Sequence, residues 1–503
     1  MSEETGSPKD GGALGIDAEV SIAGSVRRVA RNTGAQIIGD VLARLALLVL
    51  YVVMGRVLGS DGLGAFTLAI SVVLFVEIAG FGTDLLVTRE VARERSAVDR
   101  LFWNTTAIKL ALGGLGIGLA LAFGQIAGYD STVKVTVALM AAAKIVELLS
   151  NTIYSTLRGI EDMVPVAVGV FLQRALTAAA GSVALIVFDA GVVAVAAGWL
   201  ASCIVTLGFM TLVLIRRQVR PRMAMSGRAA RHVLVEAAPL GFTLVLIAVL
   251  ARIDVMILSL FETNAAIGLY GAAYRLFEGT FFISAAFGIA AFPVLSRLGR
   301  STRPTVRSAF DLSFKALATV LLPLGLVLVL FGGEIITAVF GPDFSDAATA
   351  TRLLGIAIPL HGLFILAALA VTSQDHQRVI PWVTGLVLLE NVGLNLALIP
   401  PHGLNGAAAA MVVSEATLTL VLMFFAVRSV GGLSMVRVSA GALAGCAGMV
   451  AAALALGEGV TGLAVGICQY PLVVLVVERI YFKEDMALLV HALRRGVPAS
   501  GSG

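Results

Sequence analysis

The sequence predicts an all-α, polytopic membrane protein of about fourteen transmembrane helices. Two six-helix, pseudo-symmetric lobes would be followed by two C-terminal helices. Composition, the length of the apolar segments and the placement of basic residues support this fold. Of the 503 residues, 58% are hydrophobic and 14% are charged, and the mean hydropathy is +0.96. A soluble domain averages about 25% charged residues, so this composition is typical of a protein that lies mostly in lipid.

Apolar segments long enough to cross a bilayer recur along the whole chain. A helix needs about 20 apolar residues to cross a hydrocarbon core of ~30 Å. An even number of spans would place both termini on the same side of the membrane. The predicted spans are residues 33–58, 64–88, 101–127, 132–157, 163–188, 191–215, 233–260, 266–296, 309–331, 347–373, 379–399, 404–427, 437–456 and 460–478.

The connectors between these segments alternate in charge. Every second connector carries Arg or Lys, as in the Arg-rich stretch 216–231. The connectors without either residue are 59–63, 128–131, 188–191, 261–265, 332–350, 400–405 and 457–460. Because cytoplasmic loops are enriched in Lys and Arg, the pattern predicts that the basic connectors and both termini are cytoplasmic.

A weak internal repeat predicts the two lobes. Gly191 precedes Arg216 by 25 residues, and Gly403 precedes Arg428 by the same interval. Transporters are often built from two such halves with the substrate site between them; the alternative is chance similarity of Ala- and Gly-rich segments. The predicted parts are an N-terminal tail (1–32), the N-lobe (33–215), a basic linker (216–232), the C-lobe (233–428), helices 13 and 14 (437–478) and a C-terminal tail (479–503).

Enzyme motifs are absent from the sequence. It contains no GxxxxGK[ST] phosphate loop and no HExxH, CxxC or GxSxG motif, and its three cysteines lack metal-ligand spacing. The connectors predicted to face outward are short, so a membrane-embedded glycan polymerase or transferase, which needs a catalytic loop, is disfavoured. We therefore expect no enzyme activity and favour transport by conformational change.

Four stretches resemble the polysaccharide flippases. Residues 254–298 resemble spans seven and eight of that family, and residues 340–359 resemble the entry to span ten. Residues 390–415 resemble spans eleven and twelve, and residues 55–95 resemble the first two. Positions that carry the resemblance in 254–298 are Asp254, Gly268, Tyr270, Ala273, Tyr274, Pro293 and Ser296. The family belongs to the superfamily of multidrug and toxin extruders, oligosaccharidyl-lipid flippases and lipid II flippases.

The resemblance implies a flippase of the bacterial plasma (inner) membrane. Its cargo would be a polyprenyl-diphosphate-linked oligosaccharide, moved from the cytoplasmic to the outer leaflet by alternating access for cell-surface polysaccharide assembly. Implied partners are membrane lipids, a glycan polymerase and glycosyltransferases. The net charge of +4 gives no reason to expect nucleic acid.

Four arginines in the predicted spans are the main candidates for substrate binding. Arg44 and Arg174 lie near the middle of their spans, and Arg252 and Arg275 lie in the outer half. A charge at the bilayer centre costs ~2.5–3.5 kcal/mol on insertion scales, so it normally faces a bundle interior or an aqueous cavity. Guanidinium groups match phosphate geometry. For a diphosphate-linked cargo, we expect at least three of the four to face one central space.

Structural alternatives exist for these charges. Arg275 with Glu278, and Lys144 with Glu147, stand three residues apart on a helix and can pair locally. Arg252 and Asp254 are two apart and point to different faces. The alternative role for Arg44 and Arg174 is an interhelical salt bridge to one of three acids: Glu77, Glu390 or Glu415.

Other polar residues in the spans are weaker candidates. Asn391 and Asn395, one turn apart, can hydrogen-bond sugar hydroxyls or simply join helices. His361 can titrate or be structural. We expect no cofactor, with coupling to Na⁺ or H⁺ left open. The candidate ion-coupling acids are Glu77, Asp254, Glu390 and Glu415.

Two related functions stay open at this stage. The first is an ion-coupled multidrug antiporter of the same superfamily, which the membrane acids favour and the arginines disfavour, since they would repel cationic drugs. The second is a lipid II flippase, which fourteen spans would suit because its two extra spans form a groove for the lipid tail. Residues 254–298 resemble the polysaccharide branch more closely.

Overall fold

The computed structural model describes residues 11–481 except residues 81, 220, 299–302 and 458, and within these limits it contains helices and no strands. Two short 3-10 segments, Ile78–Gly80 and Pro342–Ala347, accompany the α-helices. The α-helices are α1 (Gly11–Val72), α2 (Leu74–Glu77), α3 (Thr83–Arg93), α4 (Ala97–Ile126), α5 (Ser131–Gly159), α6 (Met163–Ile186), α7 (Val192–Arg216), α8 (Gly227–Leu250), α9 (Ile253–Leu258), α10 (Asn264–Glu278), α11 (Phe281–Leu298), α12 (Arg303–Phe340), α13 (Ala348–Ser373), α14 (Val379–Val430), α15 (Met435–Leu456) and α16 (Val460–Tyr481).

The helices confirm an all-α, multi-pass membrane protein. Helical segments occupy all of the predicted spans. Among the described residues, ten helices are long and apolar enough to cross a membrane, or up to eleven when a bent pair in α8 counts as one span. Two of the ten, Val41–Arg93 and Val379–Val430, have 53 and 52 residues. Each would reach about 80 Å if straight, far more than one crossing needs, and the total of fourteen spans stays a prediction.

Both of these long helices contain a break at a glycine. Gly59 has φ 67° and Gly403 has φ 55°, in the left-handed region that glycine adopts without steric cost. The chain doubles back at each break. The Tyr51 and Phe66 rings lie 5.7 Å apart across the first break, and Asn391 Nδ2 donates to Ser414 Oγ at 2.9 Å across the second.

Polar residues in the connectors cap the N-termini of several helices. Asp130 accepts a hydrogen bond from the Val133 nitrogen at 2.8 Å and caps α5. Ser226 caps α8 and Thr263 caps α10 in the same way. Such side chains satisfy backbone N–H groups that lack a partner within the helix.

Helices extend into both predicted terminal tails. Helix α1 begins at Gly11, so residues 11–32 of the predicted N-terminal tail continue the first helix. Helix α16 ends at Tyr481, and the rest of the predicted C-terminal tail lies outside the described residues.

The last two helices pack against each other and against α12. The Tyr470 hydroxyl donates to the Thr319 carbonyl at 2.7 Å, which joins α16 to α12. Lys315 of α12 forms a buried salt bridge with Glu478 of α16. These contacts attach the C-terminal pair to the C-lobe rather than to the N-lobe.

The connectors without Lys or Arg meet at one end of the bundle, which we call the Arg-poor end. Tyr129 contacts Ser259 at 2.6 Å, and Asn264 donates to Asp130 at 3.3 Å. Ser259 donates its own proton to the Met256 carbonyl, so Tyr129 is the donor in the first contact. Burial raises the pKa of the Tyr129 hydroxyl, which keeps it protonated. These bonds join the N-lobe to the C-lobe.

The basic connectors meet at the opposite end, which we call the Arg-rich end. Asp99 accepts a hydrogen bond from the Arg222 nitrogen at 2.8 Å, and Trp103 donates to the Pro221 carbonyl at 3.1 Å. Arg217 pairs with Asp162 at 2.7 Å. The structure thus separates the two kinds of connector, as the charge pattern requires, and which end faces the cytoplasm stays a prediction.

The lobes also cross closely at the Arg-poor end, where the second half of α1 meets α10. A Cβ atom added to Gly64 would lie 2.9 Å from the Gly268 nitrogen, and one added to Gly268 would lie 2.9 Å from the Gly64 nitrogen. Each would be closer still to a carbonyl oxygen of the other helix, that of Asn264 or Ser60 respectively. We call this reciprocal contact the Gly64–Gly268 crossing. It has the form expected of two halves related by a twofold axis.

Candidate substrate site between the lobes

One carboxylate in the N-lobe is shared by two cations. Glu147 Oε1 lies 3.5 Å from Lys144 Nζ on the same helix and 3.2 Å from Arg174 Nη2 on α6. Lys144 also lies 3.5 Å from Glu77, whose side chain is exposed. The predicted local pair of Lys144 and Glu147 is present, and Arg174 joins it from the neighbouring helix.

The C-lobe repeats this arrangement. Arg275 donates to Glu278 three residues later on α10, and Arg252 Nη2 lies 3.6 Å from the other oxygen of Glu278. Arg252 stands in the turn between α8 and α9. A single carboxylate therefore pairs with two arginines, one from the α8–α9 turn and one from α10.

Tyr51 of α1 lies where the two clusters meet. The Arg275 guanidinium stands over its ring, 4.2 Å from the centroid, in a cation–π contact. Arg44 is seven residues earlier on the same helix, and it acts electrostatically on Glu278. Side chains that act electrostatically on the Tyr51 hydroxyl include Arg174, Arg252, Arg275 and Glu278. The structure thus brings the four predicted arginines around one space between the lobes.

This central space remains partly accessible at mid-depth. Arg174 stands eleven residues into α6, about 16 Å along the helix. Its side chain is 26% exposed, and that of Arg252 is 23% exposed. Arg44 is exposed as well. Because a charge at mid-depth normally faces a bundle interior or an aqueous cavity rather than lipid, we interpret the exposed surfaces of these arginines as the lining of one cleft between the lobes.

The cleft carries excess positive charge. Its cations are Arg44, Lys144, Arg174, Arg252 and Arg275, and its carboxylates are Glu77, Glu147 and Glu278. Five cations less three carboxylates leave two positive charges among these residues. Arg275 is 9% exposed, and its Nε and Nη2 atoms have no hydrogen-bond partner. Buried donors without partners are costly, so an anionic oxygen that reached these two atoms would stabilise them.

The two predicted asparagines lie away from this cleft. Asn391 and Asn395 are fully buried inside the C-lobe. Asn391 donates to Ser414, and Asn395 donates to the side-chain oxygen of Asn391 at 2.8 Å. Asn391 joins the two halves of α14, and Asn395 bonds to Asn391 within one half. Both contacts fit the structural alternative that the sequence left open.

The predicted ion-coupling acids lie in different surroundings. Glu77 belongs to the cleft, whereas Asp254 is buried and accepts hydrogen bonds from the Tyr270 hydroxyl and the Val255 nitrogen. Glu390 accepts a hydrogen bond from Thr417 at 2.9 Å. Glu415 lies 3.1 Å from His361. Among the described contacts, Arg174 pairs with Glu147 rather than with any of the acids that the sequence analysis considered for it.

Sequence analysis missed the shared carboxylates and Tyr51. Glu147 and Glu278 were considered only as local partners of Lys144 and Arg275. The signal available in the sequence was the recurrence of a basic residue followed three positions later by Glu, KIVE at 144–147 and RLFE at 275–278. Tyr51 gave no signal, because an aromatic residue within an apolar span is ordinary.

Comparison with known families identifies the chain. Residues 29–299, more than half of its length, match the family model described as polysaccharide biosynthesis protein. The chain belongs to the polysaccharide biosynthesis protein family. A curated relative is the probable low-salt glycan biosynthesis flippase Agl15 of Haloferax volcanii, which is 25% identical over 168 residues. That match covers 33% of this chain and 36% of the relative, so it spans about a third of the relative's length.

Solved structures show the same fold over nearly their whole length. The lipid II flippase MurJ in an inward closed conformation has 16% identity and a TM-score of 0.73, covering 88% of this chain and 98% of that one. An inward-facing multidrug resistance MATE family transporter of the MOP superfamily has 16% identity and a TM-score of 0.67, covering 77% and 94%. A MOP superfamily transporter from Pyrococcus furiosus, described as having reversed binding-pocket polarity, has 15% identity and a TM-score of 0.53, covering 79% and 98%. This family member therefore has the fold of a MOP superfamily transporter.

Proposed function

We propose that this protein is a flippase for a polyprenyl-diphosphate-linked oligosaccharide. It moves the headgroup from the cytoplasmic to the outer leaflet by alternating access, for assembly of cell-surface polysaccharide. The observation that carries the proposal is the excess of positive charge in the cleft, with two guanidinium N–H positions of Arg275 unpartnered. Membership of the polysaccharide biosynthesis protein family and the similarity to a glycan flippase support it.

The chemistry of the cargo explains why arginine suits this cleft. A diphosphate cannot enter hydrocarbon uncompensated, and guanidinium groups present forked donors that match phosphate oxygens. Arg252 of the α8–α9 turn and Arg275 of α10 both pair with Glu278. A diphosphate competes with that single carboxylate for the same donors. The polyprenyl tail stays in lipid while the headgroup passes through the cleft.

Orientation and location follow from the charge pattern. The Arg-rich end and both termini lie on the cytoplasmic side of the plasma membrane, and the Arg-poor end faces outward. The lobes meet at the Arg-poor end through the Gly64–Gly268 crossing and at the Arg-rich end through Arg89 of α3 and Glu236 of α8, which lie 3.4 Å apart. Loading from the cytoplasmic side therefore requires the contact at the Arg-rich end to open. Glycosyltransferases that build the lipid-linked glycan and a polymerase that consumes it are the expected partners.

A lipid II flippase is the second candidate. The attachment of α15 and α16 to α12 and the fold shared with MurJ favour it. Lipid II and the proposed cargo share the polyprenyl diphosphate, so the arginine chemistry is the same and the sugar differs. A cationic-drug antiporter is disfavoured because the cleft has an excess of positive charge.

Reconstituted vesicles test the function. Purified protein is placed in liposomes with one of three probes: a fluorescent polyprenyl-diphosphate-linked disaccharide, fluorescent lipid II or the cationic dye ethidium. We expect the first probe to cross fastest and ethidium not to be transported. Arg252→Ala should slow flipping roughly ten- to a hundredfold, since a hydrogen bond to a charged group contributes ~1.5–3 kcal/mol. Arg252→Lys should slow it less, because a point charge replaces a fork.

Two controls distinguish a role of Arg252 in cargo binding from a purely structural role. Arg93→Ala removes a largely exposed arginine of the Arg-rich end and should leave flipping unchanged. The double variant Arg252→Ala, Glu278→Gln removes both partners of the salt bridge. Flipping by that double variant equal to flipping by Glu278→Gln alone would show that Arg252 is only a structural partner and would remove it from the site.

A further inference from the structure

A histidine and a glutamate pair inside the C-lobe, apart from the cleft residues. His361 Nδ1 on α13 lies 3.1 Å from Glu415 Oε1 on α14. Their side chains are 16% and 7% exposed, and Glu415 Oε2 is buried with no hydrogen-bond partner. Burying an ionised carboxylate costs free energy when one of its oxygens has no hydrogen-bond partner. A proton on the imidazole would convert the pair from one negative charge to a neutral ion pair.

The imidazole is also packed against the helix that carries the cleft arginine Arg275. The Phe281 ring stacks on His361 with centroids 3.9 Å apart and planes at 12°, and Phe277 meets it edge-on at 5.9 Å. These two phenylalanines flank the break between α10 and α11 at residues 279–280. Glu278, which holds both C-lobe arginines, is the last residue of α10 before that break. His361 therefore contacts the segment through which the cleft and α11 are connected.

Apart from Glu415, the charged groups on the helices packed against α13 either bond to other residues or lie away from His361. On α10, Arg275 and Glu278 bind each other, and on α12, Lys315 binds Glu478. On α14, Glu390 accepts from Thr417. Tyr270 and Tyr274 of α10 donate to Asp254 and to the Ala251 carbonyl. The remaining Arg, Asp, Glu and His residues described on these helices and on the 3-10 segment stand toward the helix ends or at the break in α14: Arg297, Arg303, Arg307, Asp311, Glu334, Asp343, Asp346, Arg352, His402 and Arg428. Glu415 is thus the acid that directly faces the imidazole.

We propose that the His361–Glu415 pair binds the proton that drives transport. The proposal rests on the flippase function and names its energy source. In the neutral state, Nδ1–H of His361 donates to Glu415, which leaves Nε2 as a proton acceptor. A proton taken from water binds Nε2, and the pair changes from a charge of minus one to zero. An imidazolium attracts the face of the Phe281 ring more strongly than a neutral imidazole does. Proton binding therefore strengthens the contact between α11 and α13, and proton release weakens it.

A gradient experiment measures the coupling. Proteoliposomes carry the fluorescent polyprenyl-diphosphate-linked disaccharide, and the membrane potential is clamped at zero with potassium and valinomycin. One pH unit corresponds to 1.36 kcal/mol per proton, which sustains a tenfold ratio of cargo between leaflets for each exchanged proton. Under a gradient of one pH unit, we expect the wild-type protein to bring the ratio of cargo between the two leaflets close to tenfold. His361→Gln should equilibrate the cargo only to a ratio of one.

A second readout does not need transport. Adding farnesyl diphosphate, a short polyprenyl diphosphate, to weakly buffered protein should release a proton from the wild type, detected with a pH dye. His361→Gln should release none. His402→Gln, which removes a histidine at the Arg-poor turn, is the matched control and should behave as wild type. Phe281→Leu keeps the pair but removes the stacked ring, and it should lower the gradient-driven ratio toward one.

The outcomes distinguish the two proposals. A His361→Gln variant that still sustains the tenfold ratio would overturn the proton site. Wild-type protein that equilibrates the disaccharide but never exceeds a ratio of one would overturn it too, while leaving the flippase function in place. Wild-type protein that does not move the disaccharide at all would overturn the flippase function itself.

Discussion

The Gly64–Gly268 crossing predicts how the Arg-poor end is kept closed. Gly64→Ala places a methyl group 2.9 Å from the Gly268 nitrogen and closer still to the Asn264 carbonyl oxygen. Optimal non-bonded separations for heavy atoms begin at about 3.5 Å. Both obstacles are backbone atoms of a helix, so no side-chain rotation relieves the clash. The two helices must move apart, and they are the helices that join the lobes here.

The cost sets the size of the effect. Adding a methyl group to a well-packed contact costs about 1–3 kcal/mol, which corresponds to roughly a 5- to 150-fold change in an equilibrium constant. We expect Gly64→Ala to shift the balance between the closed and open Arg-poor end by that factor. Gly268→Ala should have a similar effect, because the contact is reciprocal.

Thiol labelling measures this shift. Thr67 lies one turn beyond Gly64 and is buried in this conformation. In a cysteine-free background, Thr67→Cys should react slowly with a membrane-impermeant maleimide on intact cells, and it should react roughly 5- to 150-fold faster when combined with Gly64→Ala. Gly114→Ala and Gly118→Ala are the controls, since a Cβ at either glycine of α4 meets no atom within 4 Å. Equal labelling in Gly64→Ala and Gly118→Ala would refute the reasoning.

Three further predictions concern stability, binding and topology. Lys109 is fully buried and donates to Asp84 at 2.6 Å, so Lys109→Met should lower stability by about 3 kcal/mol, measured by thermal unfolding in detergent. Adding Asp84→Asn should restore much of that loss; a double variant as unstable as the single one would contradict the pairing. Glu278→Gln should tighten farnesyl diphosphate binding roughly tenfold in calorimetry, because two arginines lose a competing carboxylate worth ~1.5–3 kcal/mol; unchanged or weaker affinity would argue against competition. An impermeant thiol reagent should label Asp343→Cys on intact cells and should not label Arg222→Cys; the reverse result would invert the proposed orientation.

Much of the membrane fold was predictable because lipid imposes simple costs. Apolar segments of sufficient length and alternating basic connectors follow from the expense of placing charge in hydrocarbon. The same expense singled out Arg174, Arg252 and Arg275, which the structure brings together. Helix geometry also predicted that Arg252 and Asp254, two residues apart, would not pair, and each has a different partner in the structure.

The details of the site were less predictable because they depend on which helices become neighbours. The pairing of Arg174 with Glu147 crosses from α6 to α5 and cannot be derived from local spacing. Asn391 and Asn395 illustrate the converse problem. An amide in a span suits both sugar binding and helix packing, and only burial distinguishes the two. The helix break at residues 279–280 was also missed, since glycine is common in transmembrane helices.

That break gives the two proposals a common physical element. Arg275 and Glu278 of the cleft lie immediately before it, and Phe281, which stacks on His361, lies immediately after it. Coupling between two sites requires an element whose equilibrium both sites bias. Cargo that replaces Glu278 as the partner of the two arginines releases the end of α10 from those salt bridges. A proton on His361 strengthens its contact with Phe281 at the start of α11. Because the two effects act on opposite sides of one break, cargo binding and proton binding oppose each other, which is the condition for exchanging one for the other across the membrane.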